Sequence, residues 1–262
     1  MFRHELQTAI QAALSAGEIL MSRFRKIHDV TFKGPTDLVT EADLASEKLI
    51  REKLGQDFPN DSLFGEEIGG GDFHKGRTWV FDPLDGTTNF AHGLPIFSVS
   101  IAFCIDGIPK AGVIYLPVLN ECFSCAESFG AYLNGTQINV SRRPKVNEAL
   151  VVTGFPYEIN SCIDEIIPSL KKMIIGSRGV RRLGSAAVDL CYVAAGFFDI
   201  FWEIKLKPWD VAAGSLLVKE AGGKVTDFSG GFHSIDRYQI LATNGLLHEQ
   251  AIEILRSNNT IT

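Results

Sequence analysis

The chain has 262 residues, of which 45% are apolar and 21% charged, an ordinary globular balance that allows a core of useful size. Its 25 basic and 31 acidic residues give a net charge of −6, which argues against direct nucleic-acid binding. A phosphorylated substrate stays open, because a bound cation can supply positive charge locally.

The opening, MFRHELQTAIQAAL, carries early charge and no apolar run with a cleavage site, so it reads as mature sequence. Leu6, Ile10, Leu14, Gly17, Met21 and Phe24 recur at three- and four-residue steps and predict an amphipathic helix over 5–24. DLVTEADLASEKLIREKLGQDFP predicts a second helix, capped by Thr40, with Glu41 and Asp43 in its first turn and Gly55 and Pro59 at its end. A polar, glycine-rich turn follows over 64–77. TWVFD, FSVSIAFCIDG, KAGVIYLPVLNECFSCAES and GAYLNGTQINVS then read as strands, with Asn134-Gly135 as a hairpin signal. Five cysteines, at 104, 122, 125, 162 and 191, suit a reducing compartment better than a disulfide framework, so the cytoplasm is expected. Cys122 and Cys125 have redox spacing but fall in strand-like text and read as structural.

Near Arg142–Val146 the text turns polar, and the boundary between an N-terminal half (1–145) and a C-terminal half (146–262) is placed there. The second half alternates. ALVVTGF reads as a strand and Tyr157–Ile174 as a helix. Ser185 caps AAVDLCYVAA, FFDIFWE is a strand, and Trp209–Ala221 is a helix. KVTDF, QILATN and a last helix from about His248 complete the chain. The richest apolar stretch, Ala186 to Trp202, is broken by Asp189 and Asp199 and falls short of the roughly 20 residues of a membrane span. Together the elements predict layered α and β structure rather than a simple doubly wound sheet. The glycine-rich GGGDFHKG lacks the strand and helix of a dinucleotide loop.

The chemistry concentrates in WVFDPLDGTTNF, 79–90. A strand ending at Asp82 sets a carboxylate at a sheet edge, Pro83 fixes the exit direction, and Asp85 can swing back towards Asp82. The Leu84 carbonyl lies between them. Oxygen donors this close suit Mg²⁺ or Mn²⁺ better than zinc, and the acids would repel without a cation. Gly86-Thr87-Thr88 opens what reads as a helix start able to hold phosphate. Taken alone, such a D-x-x-D is more often a turn or a cap, and the apolar Trp79-Val80-Phe81 before it with the proline and glycine around it bring the metal reading level. Glu66-Glu67 alone reads more readily as a solvated turn, and Asp210 equally as a helix N-cap.

Taken together, DLVTEAD at 37–43, GEE at 65–67, DPLDGTTNF at 82–90 and PWDVAAG…KEAGG at 208–223 resemble the inositol monophosphatase family of metal-dependent, lithium-sensitive sugar-phosphate phosphatases. The resemblance covers nearly the whole chain. It implies an α-β-α-β-α sandwich with mixed and antiparallel sheets, two half-domains with the site between them, and a homodimer. It also implies two or three Mg²⁺ per site, with Mn²⁺ able to substitute. Glu66, Asp82 and the Leu84 carbonyl would hold one ion and Asp82, Asp85 and Asp210 a second, with a third near Glu66. Thr87, paired with Asp43, would orient or deprotonate the attacking water, and the Gly86 and Thr87 N–H groups would hold phosphate. Glu203, seven residues before Asp210, and Gly184, Ser185 and Ala186 match substrate-binding positions, and Lys33 matches a lysine near the metals. Arg178, Arg181 and Arg182 form a basic cluster that could meet a second phosphate, face a dimer partner or solvate a turn. The short loop at Lys33-Gly34-Pro35 and the two lysines of EIKLKPWD depart from the animal enzymes near the site rim. Expected substrates are therefore inositol monophosphates first, then fructose 1,6-bisphosphate, histidinol phosphate or nucleotide 3′-phosphates. A regulatory role at the transcription machinery is the alternative from another class.

Overall fold

The computed structural model describes residues 2–26, 30–32 and 38–256. In chain order the helices are α1 (Arg3–Arg23), α2 (Glu41–Asp57), α3 (Thr87–Ala91), α4 (Ile163–Gly176), α5 (Ala186–Ala194), α6 (Pro208–Glu220) and α7 (His248–Arg256). The strands of the N-terminal half are β1 (Val30–Phe32), β2 (Leu38–Thr40), β3 (Ser62–Gly65), β4 (Gly69–Gly70), β5 (Arg77–Asp85), β6 (Ser98–Ile105), β7 (Ile108–Leu116), β8 (Glu121–Ala126), β9 (Gly130–Leu133) and β10 (Thr136–Ile138). Those of the C-terminal half are β11 (Leu150–Thr153), β12 (Gly179–Arg181), β13 (Ile200–Ile204), β14 (Lys224–Thr226) and β15 (Gln239–Thr243). β1 and β2 pair as a small ribbon. The remaining strands form an eight-stranded sheet, order β10-β9-β8-β7-β6-β5-β3-β4, and a five-stranded sheet, order β12-β11-β13-β15-β14. Both are mixed: β3 runs parallel to β5 in the larger, and β11 parallel to β12 and β13 in the smaller.

The layers follow from the two-residue period of the strands. In β5, Trp79 and Phe81 turn to α1 and α2, while Val80 turns to α5 and α6. In the smaller sheet Val152, Phe201, Ile240 and Ala242 face α5 and α6, and Val151, Ile200, Trp202 and Leu241 face α4 and α7. The order is therefore helices, large sheet, α5 with α6, small sheet, helices, the expected α-β-α-β-α sandwich. Glycines let the middle layer close up. A Cβ at Gly112 of β7 would stand 3.0 Å from the Ala213 Cα, and one at Gly214 would stand 2.6 Å from the Leu190 side chain. The small residues of the 208–223 motif thus let α6 press on both the large sheet and α5.

Several elements differ from their expected form. The buried face of α1 is Thr8, Ala9, Ala12, Ala13, Ala16, Gly17 and Leu20, whereas Leu14 and Met21 are exposed. Close packing on the large sheet and α2 selects small side chains, and the larger ones surround the contact. The glycine-rich turn contains β3 and β4, and α2 runs through Gly55 to Asp57. The predicted helix over 157–174 starts later, at Ile163, and part of the basic cluster forms the edge strand β12. Asn134 and Gly135, both at positive φ, make the expected hairpin between β9 and β10. All five cysteines are free. Lys33, Gly34, Pro35 and the Thr40 side chain lie outside the described residues.

Candidate active site

β5 does not stop at Asp82. It continues through Pro83 to Asp85, with Asp82 opposite Ser100 and Asp85 opposite Ser98. Three steps on one strand thus match two on its neighbour, a β-bulge of one extra residue. Without it, residues three apart would point to opposite faces. The bulge turns Asp85 to the face Asp82 already uses, towards the middle layer. Pro83 is tolerated there because a bulge leaves a ladder position unpaired. Gly86 follows at φ 96°, where a Cβ would stand 3.1 Å from the Ile96 carbonyl oxygen, and α3 begins at once.

A cavity of about 1060 Å³ opens between the two sheets, lined by Glu66, Asp82, Leu84, Asp85, Gly86, Thr87, Gly184, Ser185, Ala186, Glu203 and Asp210. Asp43 is fully buried on the first turn of α2, and its Oδ1 accepts from the Thr87 hydroxyl at 3.1 Å. The same hydroxyl lies 3.0 Å from the Leu84 carbonyl. Every other described residue assigned to metal, phosphate or substrate thus lines one cavity, and Asp43 reaches it through Thr87.

Asp82, Asp85, Asp210 and Glu203 are each held by a neighbour. Asp82 Oδ1 accepts from the Leu84 N–H at 2.8 Å. Asp85 Oδ2 accepts from the Ser185 hydroxyl at 2.5 Å and the Ala187 N–H at 2.7 Å, so it sits on the N-terminus of α5 and ties the large sheet to the middle layer. Ser185 also caps α5, accepting from the Val188 N–H. Asp210 is not the N-cap of α6. It is the third residue of the helix, and its Oδ2 reaches back to the Lys207 N–H at 2.7 Å. Glu203 projects from β13 towards the middle layer with the Gly154 backbone against it, where a Cβ would fall 2.3 Å from its Oε2.

The charges are arranged at a cost. Burial first, then Glu66, Asp85 and Asp210, hold the Asp82 carboxyl well above the usual carboxylate range. Burial, then Asp85 and Glu66, do the same to Asp210. Asp85 is pushed up to about 6 by burial, against its hydrogen bonds from Ser185, Ala187 and Ala186. Burial carries Glu203 to about 8, with Arg182 opposing. Among the described residues no three acidic, histidine or cysteine side chains are drawn together tightly enough to hold an ion between them. The oxygens of Asp82, Asp85 and Asp210 are turned to backbone and hydroxyl donors. The donor set, four carboxylates and one carbonyl, is all oxygen and electrostatically in want of positive charge, and it fits a hard divalent cation.

The sequence reading missed a clamp on the Glu66 turn. Glu47 of α2, fully buried, accepts from the Glu67 N–H at 2.8 Å, the Ile68 N–H at 3.1 Å and Arg51 at 2.8 Å. Arg51 in turn donates to the Gly69 carbonyl. Gly65 is required beside it, since a Cβ there would stand 2.5 Å from Glu47 Oε1. The i, i+4 spacing of Glu47 and Arg51 was the available signal, but it is also that of any surface helix pair. Asp189, read only as an interruption of an apolar run, lines the cavity too. Of the three arginines only Arg182 does so, packed over the Phe155 ring, and Lys205 and Lys207 stand with it on the wall.

Comparison with known proteins agrees with this geometry. The model of the inositol monophosphatase family matches residues 3–260. The chain is 41% identical over 252 residues to an inositol-1-monophosphatase of Synechocystis, covering 95% of this chain and 88% of that one. It is 41% identical over 249 residues to the Nus factor SuhB of Pseudomonas aeruginosa, covering 91% of each. The crystal structure of the extragenic suppressor protein suhB from Bartonella henselae superposes with a TM-score of 0.92 at 37% identity, covering 97% of this chain and 98% of that one. With the motifs, the layered fold and the site in agreement, this chain belongs to the inositol monophosphatase family.

Proposed function

We propose that this chain hydrolyses phosphate monoesters with Mg²⁺, inositol monophosphates being its preferred class. The observation that carries this reading is the convergence of Glu66, Asp82, Asp85, Asp210 and the Leu84 carbonyl on one cavity that also holds the Thr87–Asp43 pair. Glu66, Asp82 and the Leu84 carbonyl would hold one ion, Asp82, Asp85 and Asp210 a second, and Glu66 would share a third. Bound Mg²⁺, or Mn²⁺ in its place, would acidify a water and neutralise phosphate oxygens.

The protein groups do the rest. The Gly86 and Thr87 N–H groups hold phosphate oxygens. The Thr87 hydroxyl, donating to Asp43, accepts a hydrogen bond from the attacking water and fixes its direction. The water's proton passes through Thr87 to Asp43 as its oxygen bonds to phosphorus. The ester P–O bond breaks, and the alcohol leaves with a proton from solvent. Gly184, Ser185, Ala186 and Glu203 line the side where the alcohol lies. The half 1–145 supplies most of these groups, and 146–262 supplies Asp210 and the substrate wall.

Among the described residues no helix is long and apolar enough to cross a membrane. A cytoplasmic homodimer inhibited by lithium, without direct nucleic-acid contact, completes the reading. The full acid set favours catalysis over a purely regulatory role of the kind named for the Pseudomonas relative. Fructose 1,6-bisphosphate, histidinol phosphate and nucleotide 3′-phosphates are the secondary substrates to test.

Phosphate release from inositol 1-phosphate and those three esters, with Mg²⁺ and after chelation, checks this. Metal-dependent release with inositol 1-phosphate ranked first is expected. Undiminished release after exhaustive chelation would overturn the metal chemistry, and a large preference for another ester would overturn the substrate.

A further inference from the structure

Asp189 lies one turn into α5, where its backbone N–H donates to the Ser185 carbonyl at 3.0 Å. Its side chain is 1% exposed, lines the cavity, and its Oδ1 has no hydrogen-bond partner among the described residues. Asp199, equally buried, shows what a structural carboxylate looks like in this protein. It accepts from the Ser141 hydroxyl, from Arg143 at 3.0 Å and from the Leu150 N–H at 2.8 Å. A buried carboxyl oxygen lacking any donor costs about 1–3 kcal/mol or more, so a structural role does not account for Asp189. A ligand that brings the donor does.

Glu203 lies close enough to Asp189 to disfavour its charge, and it projects into the same middle layer from β13. Arg182, the nearby cation, is exposed and packs on Phe155 without an ion pair to either acid. We propose that Asp189 is a specificity-determining residue which, with Glu203, forms an acceptor floor that takes neighbouring hydroxyl groups of a polyol phosphate. Carboxyl oxygens on two elements accept from two adjacent O–H groups, and an ester without hydroxyls leaves both unpaired. Sites built to hydrogen-bond a substrate hydroxyl reject analogues lacking it far more strongly than apolar pockets reject a change of size. This proposal rests on the phosphatase reading and names what the leaving alcohol must carry.

The test measures kcat/KM of the wild-type chain, Asp189→Asn and Asp189→Ala on inositol 1-phosphate, phenyl phosphate and phosphoethanolamine at saturating Mg²⁺. The selectivity ratio of inositol 1-phosphate over phenyl phosphate is expected to fall about 10- to 100-fold in Asp189→Ala, mainly through KM. Asp189→Asn, which keeps one acceptor, should fall less. An unchanged ratio, with all esters slowed alike, would overturn the proposal in favour of a structural role. A loss selective for phosphoethanolamine would overturn it in favour of an ammonium site. If the wild type hydrolyses none of the three, the inositol phosphate reading itself fails. Calorimetric binding of inositol 1-phosphate with Mg²⁺ then decides: tenfold weaker binding by Asp189→Ala sustains the hydroxyl floor, and equal binding ends it.

Discussion

Asp82→Asn is expected to lower Mg²⁺-dependent phosphate release by about 10³-fold or more while making the metal-free protein harder to unfold. The two effects share one cause. Asp82 is buried against Glu66, Asp85 and Asp210, and its charge is resisted first by burial and then by those three acids. Asparagine keeps the oxygen that accepts from the Leu84 N–H and removes the charge. Relief of the repulsion should raise stability by roughly 1–2 kcal/mol, a few degrees of Tm in a chain of this size. The pH dependence has a defined sign. A carboxyl raised in the folded state stabilises below its unfolded pKa, and that contribution is lost as pH rises through the folded value. For Asp85 the window runs from the usual carboxylate range to about 6, and for Glu203 to about 8. Metal-free wild-type protein should therefore lose Tm from about pH 4 to about pH 8, and Mg²⁺ should flatten the decline. Thermal melts of both proteins with and without Mg²⁺ across that range check it. A destabilised but active Asp82→Asn would contradict the assignment.

Glu47→Gln should raise the Mg²⁺ concentration for half-maximal activity about 10- to 100-fold, with a smaller effect on kcat at saturating Mg²⁺. Glu47 touches no substrate. It is a positioning residue whose two oxygens take the Glu67 and Ile68 N–H groups and Arg51, and so fix the turn that presents Glu66. Glutamine turns one of those acceptors into a donor facing a donor. Removal of the side chain in Glu47→Ala leaves Arg51 without its buried partner and is expected to cost about 3–5 kcal/mol of stability. Magnesium activation curves read the first variant and urea unfolding the second. An unaltered magnesium requirement in a folded Glu47→Gln would show that the turn holds its place unaided.

Much of this is legible in the sequence, because each motif carries a local rule that the fold keeps. The apolar strand text of β5, the cap at Ser185 and the Asn-Gly turn are decided within a few residues, and the structure follows them. What was not legible depends on partners distant in the chain. The extra residue between Asp82 and Asp85 shows only in the pairing with Ser98 and Ser100. The alanine face of α1 depends on how closely the large sheet and α2 approach. Glu47 was hidden because an acid four residues from an arginine looks solvated until the Glu66 turn covers it. Asp189 was hidden because a lone acid in apolar text signals an interruption, and only the cavity shows what it faces.

On this account the converging acids of the cavity exist to hold divalent cations. Titration of the chelator-treated chain with Mn²⁺, with free ion counted by electron paramagnetic resonance, tests it most directly. At least two ions per chain, displaced by Mg²⁺ and reduced in number by Asp82→Asn, are expected. A wild-type chain that binds no Mn²⁺ at millimolar concentration would contradict the account.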